Sequence, residues 1–190
     1  KIIKKQAERL KRMVEDLLVI PDIEGSSLNM TIEPVNASEI IDDAIVLSKN
    51  RGNKTFINNV NENIPMIYAD RDRFEQVIIN IVENAVKYGD GKSISVDFTE
   101  EDGCILITVS NSGCTLEDTD LLHIFESFWR GANAEKEKGS GLGLYICRQL
   151  MHKVNGEIFA EINKSYYYSC CHKFGNSCKR GRKVHYHPCS

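Results

Sequence analysis

The chain has 190 residues, a formal net charge of −3 and 42% hydrophobic residues, enough for one ordinary domain plus an extra segment and for a real buried core. No apolar run approaches the roughly 20 residues that cross a bilayer, and the basic, helix-patterned start lacks the compact apolar core of a signal peptide. The charge is uneven: residues 1–162 carry 18 basic against 27 acidic side chains, a net of −9, while six basic residues and no acid follow from Asn163 onward. That balance argues against nucleic-acid binding by the body and leaves the tail as a weak electrostatic contact or a solvated end. Opening on Lys1 rather than Met, the sequence reads as a fragment, and any membrane anchor is expected in upstream sequence.

In chain order, Ile3, Ala7, Leu10, Val14 and Leu17 form a heptad seam among charged residues, which calls for a partner helix. Pro21 is the expected stop, and residues 22–27, with Gly25 and paired serines, read as a linker. Leu28, Met30 and Ile32 then alternate as in a strand. Asn36 with Glu39 resembles a capping box for a helix with apolar Ile40, Ile41, Ala44, Ile45 and Leu47. Short strands fit Thr55 to Val60 and Met66 to Ala69, and Asp70 is placed to cap the next helix.

That helix carries the most informative stretch. At roughly 100° per residue, Asn80, Asn84, Lys87 and Tyr88 fall on one face, and Phe74, Val77, Ile78, Ile81, Val82 and Ala85 on the other. Two carboxamide oxygens one turn apart, followed by an ammonium and a phenol, suit a hard cation and the phosphates it bridges; they would equally suit a solvated polar face. Gly89-Asp90-Gly91 closes the helix, and Ile94, Val96, Phe98 and Ile105, Ile107, Val109 alternate across a turn at Glu101-Asp102-Gly103, predicting a β-hairpin. Asn111-Ser112-Gly113 leaves its second strand. A short acid- and leucine-rich helix leads to Phe125 and Phe128, and residues 131–138 read as a mobile loop. Gly139-Ser140-Gly141-Leu142-Gly143-Leu144 opens a further helix with apolar Ile146, Cys147, Leu150, Met151 and Val154, ended by Asn155-Gly156. Glu157 to Ile162 and then Tyr166-Tyr167-Tyr168 are strand candidates before unpatterned sequence. Of seven cysteines, Cys104, Cys114 and Cys147 read as free thiols. Cys170, Cys171, His172, Cys178, His185, His187 and Cys189 crowd the tail at spacings that fit no regular zinc finger.

A glycine cluster entering a helix is in outline a phosphate cradle, because backbone N–H groups can approach an anion at the positive helix end. The preceding strand and the Gly-Lys-Ser/Thr ending of dinucleotide folds and P-loops are missing. The combination of an Asn-x-x-x-Asn-x-x-Lys-Tyr helix, a strand ending in Asn-x-Gly, a Phe-x-x-Phe pair, a loop and Gly-x-Gly-x-Gly resembles the catalytic and ATP-binding domain of sensor histidine kinases, within the broader gyrase, Hsp90 and MutL-like (GHKL, or Bergerat) ATPase class. The resemblance covers nearly the whole chain. It implies an α+β two-layer sandwich, a mixed sheet covered by helices on one face, preceded by one long helix. Residues 1–20 match the second helix of the dimerisation hairpin, 21–27 a linker and 28–162 the catalytic domain; 163–190 form an atypical basic Cys- and His-rich tail.

By that resemblance the cofactors are ATP and Mg2+, with Asn84 as metal ligand and Asn80 contacting the ion, its water or a phosphate. Lys87 and Tyr88 lie along the nucleotide, Asn111 and Gly113 at the base, and Gly139, Gly141, Leu142, Gly143 and Leu144 on the phosphate side. Phe125 and Phe128 anchor a lid formed by residues 131–138; the residues alone leave them open as core aromatics. Two positions depart from the pattern: Asn111 stands where the family has an aspartate, and Thr115 replaces a glycine. No helix carrying the acceptor histidine precedes Lys1, and His123 and His152 lie in catalytic-domain segments, so the chain is expected to phosphorylate only a histidine supplied by other sequence. The partners implied are a response regulator and, in the full-length protein, a second copy through the hairpin, with this domain cytoplasmic and the whole protein in the cell membrane. A nucleotide-binding regulatory module without kinase activity is the alternative prompted by Asn111, Thr115 and the missing histidine. A water-activating GHKL ATPase is disfavoured because its glutamate base is expected at Asn80.

Overall fold

The computed structural model describes residues 7, 10–11, 14, 16–18, 20–21, 23, 25, 28–49, 55–59, 66–90, 93–101, 104–113, 116–131, 139–162 and 165–173, with 101, 104 and 165–173 described by backbone alone. The elements are β1 (Glu33–Val35), α1 (Ala37–Lys49), β2 (Thr55–Asn58), β3 (Ile67–Ala69), α2 (Arg71–Tyr88), β4 (Ser93–Glu101), β5 (Cys104–Ser112), a 3-10 turn at Asp120–Leu122, α3 (Gly143–Lys153), β6 (Glu157–Ile162) and β7 (Ser165–Lys173). A five-stranded mixed sheet runs β2-β4-β5-β7-β6, with β2 parallel to β4 and the other neighbours antiparallel. Beside it, β1 and β3 form a separate antiparallel pair. Helix α2 packs against both α1 and α3, with α2 on β5 and α3 on β6, giving the two-layer α+β arrangement expected. No described helix is long and apolar enough to cross a membrane.

The helix α2 follows its amphipathic pattern: Phe74, Val77, Ile78, Ile81, Val82 and Ala85 are its buried residues. At its start, the Asp70 carboxylate accepts from Arg73 N at 3.1 Å and from Thr31 N at 2.9 Å, so one cap also ties the β1 approach to the helix. Period-two alternation puts Ile105, Ile107 and Val109 on the helix-facing side of β5, where each is at most 2% exposed. Asn111 is the polar last member of that row. On α3, Ile146, Cys147, Leu150 and Met151 are buried, and the helix closes in a Schellman arrangement: Asn155 at φ 55°, Gly156 N donating to Met151 O and Asn155 N to His152 O.

Several local expectations shift. Every described residue between 7 and 23 is helical, so the leading helix runs through Pro21 instead of stopping there. An interior proline costs about 3 kcal/mol. Ile23, 1% exposed within the core, offsets about 2 kcal/mol of that, and Gly25 N donating to Pro21 O at 2.9 Å adds about 1. Residues 28–32 are not strand; pairing of Glu33–Val35 with Ile67–Ala69 fixes β1 five residues later than the start of the Leu28–Ile32 alternation. In α1, Leu47 is 50% exposed and Ser48 buried, because Leu47 lies in the last turn at the margin of the stripe. The candidate strand at Tyr166–Tyr168 is present in the first half of β7, which is inserted between β5 and β6. The turns at 51–53, 61–65 and 102–103, Cys114, Thr115, residues 132–138 of the expected lid, and the tail beyond 173 lie outside the described residues.

Candidate functional site

Asn80, Asn84, Lys87 and Tyr88 are all half-buried; Asn80, Asn84 and Lys87 flank the core stripe of α2, and Tyr88, seven residues after Ile81, continues its edge. The glycine-rich segment lies along them. A Cβ built on Gly143 would stand 3.6 Å from Asn80 Oδ1, and one on Gly139 would stand 4.0 Å from the Tyr88 hydroxyl. The segment thus runs antiparallel to α2, with the N-terminus of α3 at Asn80. Lys87 Nζ pairs with Glu83 Oε2 at 3.4 Å, so its ammonium is held on the same surface.

Past Tyr88 the chain is zipped to the end of β5. Asp90 N donates to Ser112 O at 2.8 Å, and Ser112 Oγ donates to Asp90 Oδ1 at 2.5 Å. Gly113, at φ 85°, allows that approach, since a Cβ there would meet Asp90 Cβ at 2.3 Å. The zipper brings Asn111 against Gly89, where a Cβ would lie 3.0 Å from Asn111 Nδ2. Asn111 is 2% exposed. Its Nδ2 donates to Ser112 O at 3.3 Å, while Oδ1 is, among the described residues, a buried side-chain oxygen without a hydrogen-bond partner.

The aromatic pair divides. Phe125 packs against the core and carries the Arg148 guanidinium 5.9 Å from its ring centroid. Phe128 is 59% exposed at φ 64°, and its N–H donates to Gly141 O at 3.0 Å. Gly141, at φ 77°, accommodates this backbone, because a Cβ would sit 2.7 Å from Phe128 C. Leu142 is fully buried and Leu144 half-buried against the core, so both hold the segment by packing; what Leu142 can turn to a ligand is backbone, and its N–H already donates to Ser140 Oγ at 3.2 Å.

Three features have no signature in local sequence. Ser140 Oγ donates to Asp16 Oδ2 at 3.1 Å and Lys153 Nζ to Gly25 O at 2.9 Å, tying the leading helix to the glycine segment and to the end of α3. Cys147 is the third: burial pushes its thiol from 9.0 up to about 12, with an Asn80 side-chain hydrogen bond pulling it down and Asp16 adding to the rise. Between those values the folded protein keeps a proton that the unfolded chain releases. The stabilisation is therefore complete below pH 9 and is lost as pH climbs toward 12. Cys147→Val is expected to flatten the decline of melting temperature across that window, measured by calorimetry; an unchanged slope would contradict the burial. No cluster of three or more His, Cys, Asp or Glu suited to a metal ion occurs among the described residues, so a cation here would rest on carboxamides and on its own ligands.

Residues 69–187 match the family described as histidine kinase-, DNA gyrase B- and HSP90-like ATPase. The chain belongs to this ATPase family. Sensor histidine kinase WalK of Bacillus subtilis (strain 168) is 29% identical over 168 residues, covering 84% of this chain and 27% of WalK; the chain thus spans about a quarter of that relative. The catalytic domain of histidine kinase ThkA superposes with a TM-score of 0.65 at 26% identity, over 76% of this chain and 96% of the domain. ThkA in complex with the response regulator protein TrrA gives a TM-score of 0.67 at 23% identity, over 90% and 49% of the two chains. Full-length ShkA in complex with AMPPNP gives 0.77 at 20% identity over 91% and 37%, a likeness of fold. The resemblance to the sensor histidine kinase catalytic domain and the Bergerat-type fold it implied are both borne out.

Proposed function

We propose that this histidine kinase-type ATPase domain binds Mg-ATP between the polar face of α2 and the glycine segment, and transfers the γ-phosphoryl group to a histidine supplied by other sequence. The observation that carries the reading is Asn111. A buried carbonyl oxygen without a donor costs about 1–3 kcal/mol, and a base bearing an exocyclic amino group recovers it. The orientation is not arbitrary: turning the carboxamide over would set Oδ1 against the Ser112 carbonyl that now receives Nδ2. Adenine, with an amino group to donate, fits this acceptor, although the bond is neutral where an aspartate would add charge.

The dimensions agree. From Gly89, beside Asn111, back to Asn80, beside Gly143, α2 rises about 13 Å, so base and phosphate ends are separated by a length suited to an extended nucleoside triphosphate. Asn84 would hold magnesium and Asn80 the ion, its water or a phosphate, since Mg2+ keeps several waters and takes few protein oxygens when phosphates supply the charge. When bound, the ion would neutralise charge developing on the transferred group. The N-terminus of α3 turns its positive end to phosphate, and Lys87 is one turn from Asn84. Catalysis is by positioning and electrostatic shielding. Asn80 and Asn84 carry no basic group, which favours transfer to a histidine over activation of water.

In the longer protein, the phosphoryl group would pass on to a response regulator, a partner ThkA is known with. Leu10, Val14 and Leu17, 65%, 47% and 44% exposed, leave an apolar stripe suited to a second copy. We place this domain in the cytoplasm and any membrane anchor in other sequence. The test is to mix the chain with a separately produced helical hairpin carrying the acceptor histidine and labelled ATP. Acid-labile phosphate on the hairpin is expected; nucleotide binding without transfer would contradict kinase activity and favour the regulatory alternative.

A further inference from the structure

Asn111 carries an ambiguity that an aspartate in its place would not. Both oxygens of a carboxylate accept, whereas a carboxamide accepts along one edge and donates along the other. A 6-aminopurine needs the accepting edge and a 6-oxopurine the donating one, so the base that this site takes depends on what holds the carboxamide. Asn111 is 2% exposed, with Nδ2 donating to Ser112 O at 3.3 Å and Oδ1, among the described residues, without a hydrogen-bond partner. The Ser112 carbonyl therefore sets which edge is turned out.

That carbonyl belongs to the Ser112–Gly113 peptide, and Gly113, at φ 85°, is the residue type that lets a peptide turn over. Turned over, the peptide would present the Gly113 N–H where the Ser112 carbonyl now stands, and the carboxamide would follow with Oδ1 inward and Nδ2 outward. Residue 90 holds the peptide against that rotation at two points. Asp90 N donates to Ser112 O at 2.8 Å, and Asp90 Oδ1 receives the Ser112 hydroxyl at 2.5 Å, a bond to a charged acceptor and so of the stronger kind. We infer that Asp90 is a positioning residue that sets purine specificity: through Ser112 it keeps the accepting edge of Asn111 turned to the base, so that 6-aminopurine nucleotides bind and 6-oxopurine nucleotides are refused. This rests on the Mg-ATP reading, which puts the base at Asn111.

The experiment measures calorimetric affinity for ATP and for inosine triphosphate, both with magnesium, in the parent, Asp90→Ala and Asp90→Asn, each checked for folding by thermal melting. Inosine triphosphate carries an oxygen in place of the 6-amino group and is otherwise the same at sugar and phosphates. A loosened fold or cradle therefore lowers both affinities alike, and only a change at the base end alters their ratio. The parent is expected to favour ATP at least about tenfold, as for one bond made or unmade at a buried acceptor. In D90A the ratio should fall to within about threefold of unity, while D90N, whose amide oxygen still receives the Ser112 hydroxyl, should stay near the parent. The Asn111 side-chain amide resonances of the nucleotide-free protein should move in D90A and not in D90N. A ratio unchanged in D90A, one that narrows as far in D90N, or a parent that does not discriminate overturns the specificity role. A parent that takes up neither nucleotide, with the Asn111 resonances still moving in D90A alone, supports the clamp and overturns the Mg-ATP reading instead.

Discussion

Replacing Asn84 by alanine is expected to lower the affinity for Mg-ATP at least about tenfold, the lower end of what is lost when even an outer partner of a metal site is removed. The fold should not suffer. Asn84 is half-buried on the polar face and no member of the core stripe, and alanine is the better helix former by up to about 0.7 kcal/mol. Isothermal titration in magnesium and in chelator separates the effects. The account predicts that the variant loses the magnesium-dependent part of the affinity and keeps its melting temperature. Unchanged binding would remove the ion from this position.

Gly141→Ala is expected to be among the most damaging single methyls in the site. An L-residue at φ 77° costs about 1–2 kcal/mol. The added Cβ would also lie 2.7 Å from Phe128 C and 2.8 Å from Trp129 O, backbone atoms that cannot turn aside as a side chain can. The Phe128 N–H to Gly141 O bond would be pulled out of line as they shift. A total above about 2 kcal/mol lowers the melting temperature of a chain this size by at least about 4 °C, and nucleotide binding falls with the cradle. Gly139→Ala is the control: its nearest contact would be the Tyr88 hydroxyl at 4.0 Å, so its melting temperature should stay near the parent's. Equal loss in both variants would show that glycine content, and not the Phe128–Trp129 contact, governs the segment.

What was legible in the sequence was local and periodic. The six buried residues of α2, the alternation of β4 and β5, and the Asp70 cap follow from spacing and side-chain chemistry within one turn or one strand. What was hidden depends on partners distant in sequence. Ile23 carries the leading helix past Pro21 because the core receives it; β1 begins at Glu33 because β3 sets its register. The insertion of β7 between β5 and β6 has no local signal either. In the site, residue types named the polar face and the glycines, but not that Gly143 lies at Asn80, that Asp16 reaches Ser140, or that Cys147 Sγ donates to Val77 O. Asn111 was visible as a departure from the aspartate pattern. Its burial and its unpartnered oxygen emerged only from pairing β5 with the end of α2.

The most direct test of the central claim is a calorimetric titration of ATP, with magnesium, into the unmodified chain. The account predicts saturable binding at one site per chain, weakened by chelator and by Asn111→Leu, which removes the buried acceptor. A folded chain that takes up no ATP at millimolar concentration, or binds equally well with leucine at position 111, would contradict it.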